Sequence, residues 1–132
     1  MSEHAQGTFT VAGWDEDTYQ ELDGKAKLTK ARMTFDFDGD LRARGVAETV
    51  MCYREDGTAV YTGLQHMVGQ VGGKSGSYVL LADGTYEGGE ARTTWQVVAG
   101  SGTGELAGLR GSGTAVADST PPGSFSFDYD LG

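Results

Sequence analysis

The sequence has 132 residues, which fits one domain (residues 1–132) and leaves too little for two of ordinary size. Its 10 basic and 19 acidic residues give a net charge of −9, which argues against nucleic acid and anionic membrane surfaces as partners, since both would repel it. Glycine fills 22 positions without a triplet period, so collagen is excluded, and the single cysteine, Cys52, excludes an internal disulfide or a cysteine-rich metal cage. The opening MSEHAQGTFT has no basic region followed by an apolar run, and no stretch approaches ~18 apolar residues. The expectation is a cytoplasmic protein with no membrane span.

Helical periodicity is almost absent. Alternating segments separated by glycine-bearing turns predict strands over Thr8–Gly13, Lys25–Phe37, Leu41–Arg54, Thr58–Val71, Ser75–Tyr86, Ala91–Ala99, Gly111–Val116 and Phe125–Leu131. The acidic segment Trp14–Asp23 reads as a loop or a short helical turn. Eight antiparallel strands with short hairpins predict an all-β fold, closed into a single eight-stranded antiparallel β-barrel without exposed edges. Such a barrel is filled by its own side chains or holds one small ligand.

Asp38-Gly39, Asp56-Gly57, Gly72-Gly73 and Gly88-Gly89 each suit a two-residue hairpin, because glycine tolerates the positive φ of a tight turn. Each pair fixes a register. Together they place Met33, Phe35, Val46, Glu48, Val50, Cys52, Tyr61, Gln65, Met67, Tyr78, Leu80, Ala82, Trp95 and Val97 on the interior, joined by Phe125, Phe127 and Tyr129. The same registers leave Met51, Tyr53, Val60, Leu64, Val68, Val79, Leu81 and Val98 outward. An outer wall that apolar suggests a covered surface, most simply a homo-oligomer interface, with a packed Trp14–Asp23 segment or some mistaken registers as the alternative.

The segment Gly100–Gly113, GSGTGELAGLRGSG, resembles a family of small bacterial proteins of unknown function. The GTF at Gly7–Phe9, the WDEDTY at Trp14–Tyr19 and the stretch Tyr61–Leu80 share the likeness. That family is known for an allene-oxide-cyclase-like, calycin-like β-barrel, in the broad group that includes allene oxide cyclase and dirigent proteins. The resemblance implies an eight-stranded, oligomeric barrel and no established activity; fold alone does not give function. Relatives often carry a glutamate where Gln65 stands and a histidine where Ala82 stands, so an acid–base role of those groups does not transfer.

By the registers above, Glu48 is the residue most suggestive of chemistry. A carboxylate among Met33, Val46, Val50 and Trp95 is expected to resist ionisation and to act as a general acid or base. Gln65 opposite it would orient the carboxylate or bind a substrate oxygen, and Tyr61 or Tyr78 would donate to an oxyanion. Glu48, Tyr61 and Gln65 are therefore the catalytic candidates. A glutamate satisfied by Gln65 and a tyrosine is the purely structural alternative. Met33, Phe35, Arg44, Val50, Cys52, Met67, Tyr78, Leu80, Trp95 and Phe127 are the candidate ligand-binding residues, with Arg44 at the rim for a ligand carboxylate. The expected function is a cofactor-independent cyclase or isomerase acting on a hydrophobic small molecule. The alternatives are a non-catalytic carrier or sensor, and a structural oligomer with a filled barrel. No metal or cofactor is expected: there are two histidines, and VGQVGGKS at Val68–Ser75 lacks the first glycine and the helix of a phosphate-binding loop. Leu106 and Leu109 are expected to plug one barrel end.

Overall fold

The computed structural model describes residues 3–131. Its eight strands are β1 (Glu3–Glu21), β2 (Lys27–Gly39), β3 (Leu41–Tyr53), β4 (Ala59–Val71), β5 (Lys74–Glu87), β6 (Glu90–Val97), β7 (Arg110–Ala117) and β8 (Gly123–Asp130). They close into an antiparallel barrel in which each strand pairs with its sequence neighbours and β8 returns to β1. One 3-10 turn, Gly104–Leu106, precedes β7. No described helix is long and apolar enough to cross a membrane.

The strands form because inward and outward residues alternate along them, which is what a two-sided barrel wall requires. Along β8 the buried Phe125, Phe127 and Tyr129 alternate with Ser126 and Asp128. The Gly72-Gly73 and Gly88-Gly89 hairpins have the expected registers, with Met67 opposite Tyr78 and Tyr86 opposite Ala91. All four of those glycines have positive φ. Leu106 and Leu109 are buried in the main core with Leu41, Val71 and Tyr78, as the plug expectation held.

The two hairpins that flank β3 differ from expectation. At the β3–β4 turn the last pair is Tyr53 with Ala59, and Arg54 N–H donates to the Thr58 carbonyl at 2.8 Å. Asp56 does not head a two-residue turn. Gly57, at φ +87°, is the left-handed residue that ends a three-residue loop, and the Asp56 carboxylate accepts from the Thr58 N–H at 2.9 Å. The β2–β3 corner is wider still. Phe37 pairs with Ala43; Asp38 and Gly39 continue along β1, while Leu41 and Arg42 continue along β4. Both registers are displaced by an odd number of residues, and an odd displacement turns a strand over. Ala47, Thr49, Met51 and Tyr53 therefore face inward; Val46, Glu48, Val50 and Cys52 face outward.

The first strand is also longer than expected. Trp14–Asp23 is not a loop: through Glu21 it continues β1 alongside β2. A register shift between Val11 and Gly13 inserts one extra residue, and that bulge brings Trp14 and Glu16 to the inner side, opposite Met33 and Ala31. β8 accompanies β1 only as far as the Phe9–Gly123 pair, so beyond it β1 has β2 as its sole strand neighbour among the described residues.

Candidate functional site

The interior divides into a filled half and a hollow half, and the rungs of the barrel explain why. Toward the Leu106 plug the inward residues include Met67, Tyr78, Leu80 and Phe127, all at most 1% exposed. Toward the other end each rung sets small residues beside large ones. One runs Met51–Tyr61–Gly84–Thr93–Ala115–Phe125, and the next runs Tyr53–Ala59–Tyr86–Ala91–Ala117. Side chains of that size do not fill a barrel of this girth. They leave a cavity of about 420 Å³. Its walls are chiefly aromatic and aliphatic, including Phe9, Phe35, Phe37, Met51 and Trp95. The wall residues Val11, Trp14 and Tyr86 are 47%, 54% and 42% exposed, so the hollow meets solvent on their side.

Gly84 makes room for a neighbouring ring. A Cβ there would come within 2.3 Å of the Tyr61 ring, whose hydroxyl shares a 2.7 Å hydrogen bond with Thr93 Oγ1. Burial pushes the Tyr61 phenol above its ordinary pKa. Deeper in, Gln65 is 4% exposed and Thr49 is 5% exposed. The Gln65 amide donates to Met67 Sδ at 3.2 Å, a weak acceptor. Glu16 stands beside the mouth. Its carboxylate accepts from Trp14 Nε1 at 2.9 Å, Thr29 Oγ1 at 2.6 Å and Tyr53 Oη at 2.8 Å, so one acid ties β1 to β2 and β3. Partial burial would raise the Glu16 pKa, but those three donors and the Lys27 charge together hold it below the usual carboxylate value. Burial and the hydrogen bond to Glu16 push the Tyr53 phenol up to about 12.

A family model described as protein of unknown function (DUF3224) matches residues 5–129. The chain belongs to the DUF3224 family. The barrel is similar to the crystal structure of a DUF3224 protein with unknown function from Shewanella oneidensis MR-1, with a TM-score of 0.84 and 27% sequence identity. That likeness covers 98% of this chain and 97% of the other. No curated protein matches the sequence.

Within this DUF3224 barrel, Met33, Phe35, Tyr61, Gln65 and Trp95 line the hollow as the sequence predicts. Met67, Tyr78, Leu80 and Phe127 point inward too, but they build the filled half and do not line the hollow. Four of the candidate site residues are outside. Glu48 is 52% exposed in its side chain and accepts from Arg32 at 2.6 Å. Arg44 pairs with Asp36 at 3.0 Å on the same wall. Val50 is 43% exposed, and Cys52 shares its outward parity, opposite Val60. The reversal of β3 moves all four. It also brings in Thr49, Met51 and Tyr53, which the sequence reading had missed or placed outside. Trp14 and Glu16 were missed because a run of aspartate and glutamate looks like a solvated loop. The signal available was the alternation of Trp14, Glu16 and Thr18 with Asp15 and Asp17, which is a strand pattern once a bulge is allowed. Among the described residues, no three His, Cys, Asp or Glu side chains gather as a metal site.

Proposed function

We propose that the barrel binds a hydrophobic small molecule in its hollow half, as a carrier or sensor. The observation that carries this reading is the 420 Å³ cavity, walled by aromatic and aliphatic side chains and reaching solvent beside Trp14. A volume above roughly 300 Å³ with apolar walls and few polar groups is the usual form of a small-ligand site. A filled structural barrel would have no such space. The cyclase reading needed a carboxylate among apolar side chains, and Glu48 lies on the outer wall. Glu16, the acid nearest the mouth, is held by three donors that favour its ionised form, which makes it a poor proton donor near neutral pH. Binding therefore accounts for the site with fewer requirements than catalysis.

The test is to fill the space. Titration of the protein with methylnaphthalene, followed by tryptophan fluorescence, is expected to show saturable binding reported by Trp95 and Trp14. Ala115→Phe projects a ring into the hollow from β7 and is expected to weaken binding by at least about tenfold while the fold survives. Absence of saturable binding, or unchanged affinity in a folded variant, overturns the proposal.

A second copy of the chain is the occupant we propose for the outer wall of β3–β5. Leu64 and Val68 are each 53% exposed there, next to Val50 at 43% and Leu81 at 40%. An apolar band of that kind on a small domain favours a covered state. The ion pairs beside it, Arg32–Glu48 and Arg44–Asp36, mix both signs, so two copies can meet there despite the overall acidity.

A further inference from the structure

We infer that the guest of the hollow is electrically neutral and carries, at its inner end, one group that both donates and accepts hydrogen bonds, such as a hydroxyl or a carboxamide. The inference rests on the binding reading above and adds the chemistry of the guest.

Gln65 and Thr49 carry it. Both side chains line the cavity, and both are at least 95% buried, at 4% and 5% exposure. Their positions follow from the corrected register. Gln65 stands opposite Ala47 and Thr49 opposite Gly63, so the two are diagonal neighbours on one inner face, and Gly63 places no side chain between them. Such diagonal positions lie roughly 7–8 Å apart, a gap that one small polar group can bridge.

Buried amides and hydroxyls are nearly always bonded, because an unbonded one forfeits its hydration without return. The free polar atoms of these two are not sealed in packed core but open onto the hollow, where a guest can reach them; among the described residues the sealed side-chain atom without a partner is Tyr78 Oη. The Gln65 amide spends one N–H on the Met67 sulfur. Its carbonyl oxygen and its second N–H have no partner among the described residues, and neither has the Thr49 hydroxyl. Between them they offer an acceptor, a donor and a hydroxyl that serves as either. The complement is a group with both functions. Tyr61 and Thr93 share a hydrogen bond with each other and stand on the Met51 rung, one rung nearer the mouth than Thr49.

Charge is excluded by the remainder of the lining. Among the described residues, no lysine, arginine or histidine borders the cavity, and no aspartate or glutamate does either. A guest carboxylate would lose its hydration with no cation to meet, inside a chain of net charge −9. An ammonium at the inner end would likewise meet no carboxylate, since Glu16 stands beside the mouth and is not among the cavity walls.

The experiment uses four probes that share one ring body and differ at one position: naphthol, naphthamide, methylnaphthalene and naphthoate, titrated calorimetrically at neutral pH. The expected order places naphthol and naphthamide about tenfold or more tighter than methylnaphthalene, which is one net buried hydrogen bond, with naphthoate weakest. Gln65→Met keeps the length and removes the amide. It is expected to erase that tenfold preference, read as the ratio of naphthol to methylnaphthalene affinity measured on the same variant. Thr49→Val, nearly isosteric, is expected to reduce the preference independently, so one poorly folding variant does not decide the matter. Equal binding of all four probes, tightest binding of naphthoate, or an undiminished preference in both variants overturns the inference and leaves the binding reading standing. Failure of all four to bind the unaltered protein overturns both.

Discussion

The same strands pack in opposite ways at the two ends of this barrel. Toward the Leu106 plug, Met67, Tyr78, Leu80 and Phe127 are at most 1% exposed and close the interior. Toward Trp14, the neighbouring rungs carry Ala59, Gly84, Ala91 and Ala117 around a cavity of about 420 Å³. An empty apolar space sacrifices dispersion contacts that a larger side chain would make. The contrast teaches that one end supplies cohesion and the other forgoes it to keep room. Aromatic contacts link the two. Phe37 meets Trp95 at 5.6 Å and Phe125 at 5.8 Å, and Trp95 meets Phe127 at 6.4 Å, so the filled half buttresses the inner end of the hollow.

The largest expected effect breaks that contrast from the filled side. Phe127→Ala removes a fully buried ring with packed neighbours all round and is expected to lower stability by about 3–5 kcal/mol in urea unfolding. Met51→Ala borders the existing hollow, where part of the side chain already lacks partners. Its loss is expected near the lower end for such a deletion, about 2 kcal/mol. Equal losses at the two positions would show that the halves do not differ in cohesion.

A smaller effect concerns the mouth. Glu16→Gln weakens the tie between Trp14, Thr29 and Tyr53. For a half-buried, solvent-screened carboxylate the expected loss is about 1 kcal/mol at neutral pH. The pH dependence gives the sharper reading. The folded-state pKa of Glu16 is depressed, so its contribution is complete above the ordinary glutamate value of about 4.3 and is lost as pH falls through the lower folded value. Acid unfolding of the unaltered protein is expected to show this drop, and the variant is expected to lack it. An identical acid limb in the two proteins would remove Glu16 from the account of the mouth.

How far these two ends could be read from sequence depended on parity. The closed barrel, all eight strands (the first cut short) and the inner faces of β2, β4, β5, β6 and β8 were legible, because alternation and paired glycines state them locally. The Gly72-Gly73 and Gly88-Gly89 turns have no side-chain competitor, and their registers held. Asp56-Gly57 was ambiguous in a physical sense. The same dipeptide closes a two-residue turn or ends a three-residue one, and the choice depends on whether the Asp56 carboxylate bonds the Thr58 N–H. The β2–β3 corner was not local at all. Asp38 follows Thr8 on β1 and Arg42 follows Gln70 on β4, contacts that only barrel closure creates. Each error displaced β3 by an odd number, one on either side of it. The two cancelled for every other strand, so the agreement among four registers could not reveal that β3 alone was inverted. Gln65 and Tyr61, on β4, survived as site residues; the whole of the β3 contribution was exchanged.

The smallest expected effect lies on that inverted strand. Glu48 faces Arg32 across the outer wall at 2.6 Å, with side chains 52% and 64% exposed. Ion pairs this open to water contribute little, because solvent screens the attraction and two long side chains lose freedom to hold it. Glu48→Gln is therefore expected to change stability by less than about 0.5 kcal/mol and to leave naphthol affinity unchanged. The alternation at Val46, Glu48, Val50 and Cys52 has the same period as that at Ala47, Thr49, Met51 and Tyr53, and the second set is the less apolar in part. Hydrophobicity alone does not choose between them. What chooses is the pair of turns on either side of β3: the three-residue loop closed by Arg54, Asp56 and Thr58 and the wide corner after Phe37 together set which of the two alternating sets turns inward. A Glu48→Gln variant with weakened naphthol binding would place that carboxylate back in contact with the guest and require β3 to be turned over again.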